Sequence, residues 1–277
     1  MKLGYLGPKG SYSYEAALSY QTHALHLGFK TFYEIIQSVE DGMIDIGILP
    51  IENSTEGAVN SVMDGLLRTS RAKITGELVL PIVHNLLGTD KSIEEIRYVY
   101  SHPQAIEQCR EYFRINHPNM MLLSCESSAT ACVLAKEKGS GYGAISSKTA
   151  AEIYELDILG EAIQDNSFNQ TRFVAISQED EVITNQICKT SIAFSFHNDS
   201  PGSLYAVLKE FAVESINLTR IESRPAKAEL GKYIFYIDLC GHQDDPEIRK
   251  VLSNIQRITN FFKIFGSYPV FTKQARF

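Results

Sequence analysis

From its first residue the chain alternates short apolar runs with stretches of helical period, and most of the apolar runs end in a cluster of small polar side chains. Residues 2–6 predict a first strand punctuated by Gly4, Gly7 and Gly10, and Ser11 or Ser13 is placed to cap a helix starting at about Tyr14. Residues 26–32 predict a second strand, 33–41 a helix closed by Gly42, and 44–49 a third, alternating strand. That strand runs into Pro50-Ile51-Glu52-Asn53-Ser54-Thr55-Glu56-Gly57, after which Ala58, Val59, Val62, Met63, Leu66 and Leu67 recur at the helical period. The apolar stretch 74–87, which carries Pro81, predicts one strand crossing between two lobes. Residues 98–100 predict a strand delivering Ser101-His102-Pro103-Gln104, followed by a helix that buries Ile106, Cys109 and Phe113. A strand at 120–123, a helix capped by Ser127-Ser128, a strand at Ala144-Ile145 and a helix to about Tyr154 continue the series. Asn169-Gln170-Thr171-Arg172-Phe173 then heads the short apolar run Phe173-Val174-Ala175-Ile176, a buried strand that begins with an amide, a hydroxyl and a guanidinium.

Repeated strand–helix units predict a parallel or mixed sheet with helices on both faces, and ligands of such sheets collect at the carboxyl ends of strands, where these polar clusters fall. Crossings near 78–84 and 168–173 would divide residues 1–180 into two α/β lobes around a cleft. The charged stretch 178–181 is a hinge candidate, and 182–189 is weakly patterned. A second domain is expected over 190–270. It comprises a strand at 192–196, a turn through Asn198, Asp199 and Gly202, and a helix carrying Leu204, Val207, Leu208, Phe211 and Ala212. Strands at 216–223 and 233–239 joined by a loop through Pro225 and Gly231, a helix carrying Ile248, Val251, Leu252, Ile255 and Ile258, and a strand at 262–265 complete it. The order βαββαβ is ferredoxin-like.

Composition narrows the function classes. A chain of 277 residues, 44% hydrophobic and 21% charged, is an ordinary globular protein of about two domains. Its net charge of −7 argues against a nucleic-acid partner. No signal peptide and no run of about 18 apolar residues is visible, so neither export nor a membrane is expected. The five cysteines are scattered without a C-x-x-C pair, which fits reduced thiols in the cytoplasm. The histidines show no zinc spacing, and Lys138-Gly139-Ser140-Gly141 ends a helix rather than opening one, so no metal, nucleotide or other cofactor is expected.

What remains is a set of neutral donors with one cation. The turn from Gly7 to Ser13, at a helix N-terminus, can receive an anion. Asn53 and Ser54 can orient a ligand, and Arg172 can hold a carboxylate with two N–H donors. Glu52 and His102 are the acid–base types nearby; His102, before Pro103, reads as a structural hydrogen-bonder, and Glu52 divides between a capping role and a contact with the site.

Several motifs in order carry more. Gly7-Pro8-Lys9-Gly10-Ser11-Tyr12-Ser13, Pro50-Ile51-Glu52-Asn53-Ser54, Ser101-His102-Pro103-Gln104-Ala105 and Asn169-Gln170-Thr171-Arg172-Phe173, with Pro201-Gly202-Ser203-Leu204 and Glu222-Ser223-Arg224-Pro225 further on, resemble the prephenate dehydratases that carry a C-terminal ACT regulatory domain. The resemblance covers essentially the whole chain, and no chorismate mutase segment is expected. It implies a two-lobed catalytic domain like the type II periplasmic binding proteins, conversion of prephenate to phenylpyruvate with loss of water and carbon dioxide, and regulation by L-phenylalanine at paired ACT domains in a homodimer or homotetramer. Thr171 is then the expected catalytic hydroxyl, with Asn53 and Ser54 beside it. Arg172, Phe173, Gly10, Ser11, Ser13, Glu52 and Asn169 would bind substrate. Gly202, Ser203, Leu204, Asn217, Leu218, Glu222 and Ser223 would bind the effector, with Ser203 standing where the family usually has alanine. The same elimination on aminated arogenate, or a binding sensor without chemistry, are the rival readings.

Overall fold

The computed structural model describes residues 1–179, 187–197, 200–226 and 232–271. The chain begins β1 (Lys2–Leu6), α1 (Tyr12–Tyr20), β2 (Leu25–Phe29), α2 (Phe32–Glu40), β3 (Ile46–Asn53), β4 (Gly57–Ala58), α3 (Asn60–Leu66), β5 (Lys73–Pro81) and β6 (Asn85–Gly88). It continues through β7 (Tyr98–Ser101), α4 (Pro103–Glu107), α5 (Arg110–Asn116), β8 (Met121–Ser124), α6 (Ser128–Lys138), β9 (Tyr142–Ser146), α7 (Lys148–Tyr154), β10 (Asp157–Gly160) and β11 (Gln170–Ser177). The remainder is β12 (Cys188–Ser195), α8 (Ser203–Val213), β13 (Leu218–Pro225), β14 (Tyr233–Cys240), α9 (Pro246–Ile258) and β15 (Phe261–Phe271). The α/β class and the βαββαβ order of the C-terminal part are as expected.

Two compact units emerge. The first takes Met1–Ile35, Ile48–Gly57 and Val79–Phe173; the second takes Ile36–Gly47, Ala58–Leu78 and the described chain from Val174 on. The changeovers fall inside α2, β3, β4, β5 and β11.

In the first unit, a sheet of order β10-β6-β9-β7-β8 is apolar on both sides because helices cover both. Leu86 and Ile145 face Cys109 and Phe113 on the side of α4 and α5, while their neighbours Leu87 and Ala144 face the buried alanines of α6 and α7. Period-2 alternation within adjacent residues thus serves two cores at once. β1 pairs in parallel with β2 and buries Leu3 and Tyr5.

In the second unit, β13-β14-β12-β15 form an antiparallel sheet with α8 and α9 on one face over Ile192, Phe194, Phe211, Ile237 and Ile255. The other face is polar and grips α3. Arg224 donates to Asp64 (2.7 Å) and to the Asn60 carbonyl (2.7 Å), and the Lys263 ammonium takes the Leu66 (2.9 Å) and Leu67 (3.1 Å) carbonyls at the end of α3. β15 outruns its expected end at 265 and pairs in parallel with β5 through Val270 and Glu77. Gly266 permits this: its φ is +152°, and a Cβ there would stand 2.1 Å from the Ile74 carbonyl oxygen.

Three further boundaries differ from expectation, each for a local reason. The stretch 74–87 is two strands, because β5 ends at Pro81, which has no N–H to continue the ladder, and the Ile82 N–H turns to the Asn169 carbonyl (2.8 Å). The second strand ends at Phe29 because Thr31 and Glu34 form a reciprocal capping box, the Thr31 hydroxyl accepting from Glu34 N–H (3.1 Å) and the Glu34 carboxylate from Thr31 N–H (3.3 Å). The single helix expected to bury Ile106, Cys109 and Phe113 is broken into α4 and α5. Residues 180–186, Asn198, Asp199 and Gly231, which carry parts of the expected hinge, turn and loop, lie outside the described residues. Among the described residues no helix is long and apolar enough to cross a membrane.

Candidate active site

The site is built in the first unit where β3 and β11 meet. Asn53 is the last residue of β3 and Thr171 the second of β11; alternation puts Thr171 and Phe173 on one face of the strand and Arg172 on the other. Asn53 Nδ2 donates to Thr171 Oγ1 (2.9 Å) and to Asn169 Oδ1 (3.0 Å), and all three side chains are buried. The main chain fixes which end of the Asn53 amide points where. Its Oδ1 accepts from the N–H groups of Thr55 (2.9 Å) and Glu56 (3.1 Å), which can only meet an oxygen, so the nitrogen must face Thr171 and Asn169. Thr171 Oγ1 is therefore an acceptor from Asn53, and its own proton is left to be donated.

The same logic extends outward. Asn169 presents Oδ1 to Asn53, so its Nδ2 donates to Gln108 Oε1 (2.8 Å). Gln108 Oε1 also meets His84 Nε2 at 2.8 Å, which makes that ring nitrogen the protonated one. His84 Nδ1 lies 2.9 Å from the Tyr12 hydroxyl, which also reaches the Val83 carbonyl at 2.8 Å. One chain of hydrogen bonds thus runs Tyr12–His84–Gln108–Asn169–Asn53–Thr171, joining residues from five segments widely separated in sequence. Gln108 Nε2 is buried and has no partner among the described residues.

Local structure explains how Gln108 arrives there. Its carbonyl leaves the helical ladder to accept from Asp165 N–H (2.7 Å), and the Asp165 carboxylate takes the Glu111 (3.0 Å) and Tyr112 (2.9 Å) N–H groups that open α5. Gln108 is the residue at the break. His84 is held by its own main chain: its N–H goes to Gln164 Oε1 (2.9 Å) and its carbonyl accepts from Ile163 (2.8 Å).

The network carries no formal charge. Burial lowers the His84 pKa below its ordinary value, partly opposed by the bond to Gln108, and burial raises the Tyr12 phenol well above its own. Burial also raises the nearby Cys109 thiol, and pushes Cys132 up to about 11, so neither supplies a thiolate at neutral pH. Arg172 faces Glu52 across the opposite side of the strand pair at 3.8 Å, with 11% of the arginine side chain exposed.

The other expected site residues fall as follows. Ser54 is exposed and spends its hydroxyl on the main chain, donating to the Phe168 carbonyl (3.2 Å) and accepting from Gln170 N–H (2.9 Å). Ser11 is the N-cap of α1, accepting from Tyr14 N–H and donating to the Leu6 carbonyl, while Ser13 is buried inside the helix. Gly10 has φ +88°, with its would-be Cβ 2.9 Å from the Tyr154 ring. His102 caps α4, its Nδ1 accepting from Gln104 N–H (3.3 Å), and Ser101 is fully buried on the Ile145 carbonyl.

In the second unit, Gly202 caps α8 in a left-handed conformation, Ser203 opens that helix, and Leu204 and Leu218 pack against the same core. The Asn217 carbonyl accepts from Cys240 N–H (2.9 Å). Glu222 and Ser223 are consecutive in β13, so their side chains leave opposite faces of the sheet.

Tyr12, His84 and Gln108 were not singled out by sequence. Residues 3–181 match the family model for prephenate dehydratase, and 190–256 match that for the ACT domain. The chain is 42% identical to a prephenate dehydratase of Methanocaldococcus jannaschii over 96% of its own length and 97% of that protein's. It is 41% identical to a bifunctional chorismate mutase/prephenate dehydratase of Aquifex aeolicus, over 97% of this chain and 74% of that one. Among solved structures, the Arthrobacter aurescens prephenate dehydratase in complex with L-Phe superposes with a TM-score of 0.88 at 30% identity, covering 97% of this chain and 90% of that one. A protein described as GqqA, a quorum quenching acylase, superposes equally well, with a TM-score of 0.88 at 27% identity over 98% of each chain.

Proposed function

The chain belongs to the prephenate dehydratase family and carries an ACT domain, and from that membership we propose that it converts prephenate to phenylpyruvate and is regulated by L-phenylalanine through the ACT domain. Prephenate is a dianion with a ring hydroxyl. When the ring carboxylate leaves as carbon dioxide, its bonding pair moves through the ring and expels the hydroxyl at the far end. One proton converts the departing oxygen to water, and the ring becomes aromatic.

The observation that carries this reading is the Thr171 hydroxyl, whose oxygen accepts from Asn53 and whose proton is thereby available to a departing oxygen. A donor placed where negative charge develops lowers the barrier most when its surroundings are dry and already oriented. Neutral amides suit the task, since a fixed cation at the leaving carboxylate would hold it as a carboxylate and oppose its loss. Arg172, on the other face of β11, does not share a contact with Thr171; a carboxylate it takes is at the end of the substrate away from the leaving hydroxyl, with Glu52 as its resting counter-ion. Gly10, Ser11 and Ser13 shape the turn that presents Tyr12, and Ser54 ties down the strand end beside Asn169.

An acyl-transfer use of Thr171 as nucleophile needs a base to remove its proton, and the Asn53 amide that meets its oxygen is a donor. Incubation of the pure protein with prephenate, followed by ultraviolet absorbance of phenylpyruvate, tests the assignment; no product overturns it. Arogenate assayed in parallel measures the preference between the two substrates. Calorimetry with L-phenylalanine tests the regulatory half, for which Gly202, Ser203, Leu204, Asn217, Leu218, Glu222 and Ser223 are the proposed contacts. The same reading makes the enzyme a cytoplasmic homodimer or homotetramer joined through its ACT domains, and a monomer mass by light scattering would remove the pairing.

A further inference from the structure

We propose that His84, held by Tyr12, is a positioning residue for the elimination, fixing the direction of the hydrogen-bond chain that ends on the Thr171 hydroxyl. The inference rests on the dehydratase reading above. Three amides in series can in principle rotate as a set, and each rotation exchanges donors for acceptors along the row. The main chain fixes only Asn53, through the Thr55 and Glu56 N–H groups. Asn169 is fixed by Asn53 on one side and Gln108 on the other. Gln108 has less to hold it. Its Nε2 is buried without a partner among the described residues, so its orientation there depends on the two bonds its Oε1 accepts, and one of these comes from His84 Nε2. His84 is 2% exposed, and its other nitrogen lies 2.9 Å from Tyr12 Oη, whose single proton also faces the Val83 carbonyl; the proton on Nε2 is therefore set by the Gln108 oxygen, which can only accept. The His84 N–H thus supports, from the far side of Gln108, the polarity that the main chain sets at Asn53, and Thr171 lies downstream of both. His84 acts through Gln108 and Asn169 and touches no reacting atom.

The test uses the full-length protein with three single changes: His84→Phe, which keeps a ring and removes the N–H; His84→Gln, which can still donate toward Gln108; and Tyr12→Phe. Each is also made in the Thr171→Val background and compared with Thr171→Val alone. Wild-type turnover of prephenate is measured first, because its absence overturns the functional reading, and the inference with it. With an active wild type, His84→Phe is expected to lower kcat about tenfold, the scale of one lost oriented hydrogen bond, with KM nearly unchanged. His84→Gln is expected to recover most of that loss, and Tyr12→Phe to lower kcat in the same sense. None of these changes should lower the residual rate of the Thr171→Val enzyme, since the group they position is gone. The inference is overturned if His84→Phe keeps wild-type kcat, if the Phe and Gln variants fall alike, or if the loss persists undiminished in the Thr171→Val background. Should His84→Phe fail to fold by circular dichroism, Tyr12→Phe carries the same comparison: an unchanged kcat, or a loss that persists with Thr171→Val, overturns it.

Discussion

Replacing Thr171 by valine removes one hydroxyl and keeps the β-branched shape that suits a strand. The structural cost is confined to Asn53 Nδ2, which loses the acceptor at 2.9 Å and keeps the one on Asn169 at 3.0 Å. A buried N–H left without a partner costs about 1–3 kcal/mol, so the variant should fold with a somewhat lower melting temperature. The catalytic cost is separate. Loss of one oriented donor to developing negative charge reduces kcat by about 10²–10³, or about 2.7–4 kcal/mol of barrier. Because the bond strengthens as the hydroxyl departs, the loss should appear in kcat, with KM changing little. Thr171→Ser keeps the donor and loses a methyl group worth about 0.8 kcal/mol of burial, so it should retain kcat within about tenfold. Both variants are assayed by phenylpyruvate formation, with circular dichroism as the control for folding. A folded Thr171→Val enzyme with kcat within a few-fold of wild type would refute the reasoning.

Asn53→Asp is nearly isosteric yet reverses the last bond: one carboxylate oxygen still serves Thr55 and Glu56, but the other would draw the Thr171 proton inward, and kcat should fall by about 10² or more; unchanged turnover contradicts the polarity assigned here. Arg172→Lys should raise KM more than it lowers kcat, because lysine lacks the planar fork, and an unchanged KM removes the carboxylate role. His84 is expected to make stability pH-dependent. Its folded pKa is depressed below about 6.5 by burial, so its contribution is fully present above that pH and is lost as the pH falls through the folded value; melting curves of wild type and His84→Gln should converge accordingly. Gly266→Ala forces a Cβ into the Ile74 carbonyl and should destabilise by more than about 2 kcal/mol in denaturant titration, whereas Gly139→Ala, with open space around it but also at positive φ, should cost only its backbone strain, on the order of 1 kcal/mol.

Much of this was legible before any coordinates. Period-2 and period-3.6 patterns locate most elements, and the polar clusters at strand ends mark Asn53, Asn169 and Thr171 as neighbours of a site. What was not legible has a common physical origin. The amide chain is made of side chains that carry no charge and share no spacing, 24 residues apart between His84 and Gln108 and 61 between Gln108 and Asn169. No local pattern registers that they meet. The break between α4 and α5 is hidden for the same reason. Ile106, Cys109 and Phe113 keep the helical period across it, and the carboxylate that stabilises the interruption comes from Asp165. The Thr31–Glu34 capping box, by contrast, was readable from its S/T-x-x-E spacing, and it outweighs the β-propensity of the residues before it. Arg172 illustrates a limit of motif reading: adjacency to Thr171 in sequence guarantees that the two side chains part company in a strand.

The grip of the C-terminal sheet on α3 bears on how a message from the effector domain would travel. Arg224, within the Glu222-Ser223-Arg224-Pro225 motif, holds the first turn of α3 through Asn60 and Asp64, and Lys263, on a different strand, holds its last carbonyls. A seven-residue rod clamped at both ends has no hinge of its own, so it must ride with the strands that clamp it. Residues 54–59, which separate Asn53 from that rod, are not slack: Ser54 is bonded to Phe168 and Gln170, the Thr55 and Glu56 N–H groups hold the Asn53 amide, and Gly57 and Ala58 form β4, so the chain that leaves the amide is pinned along most of its length.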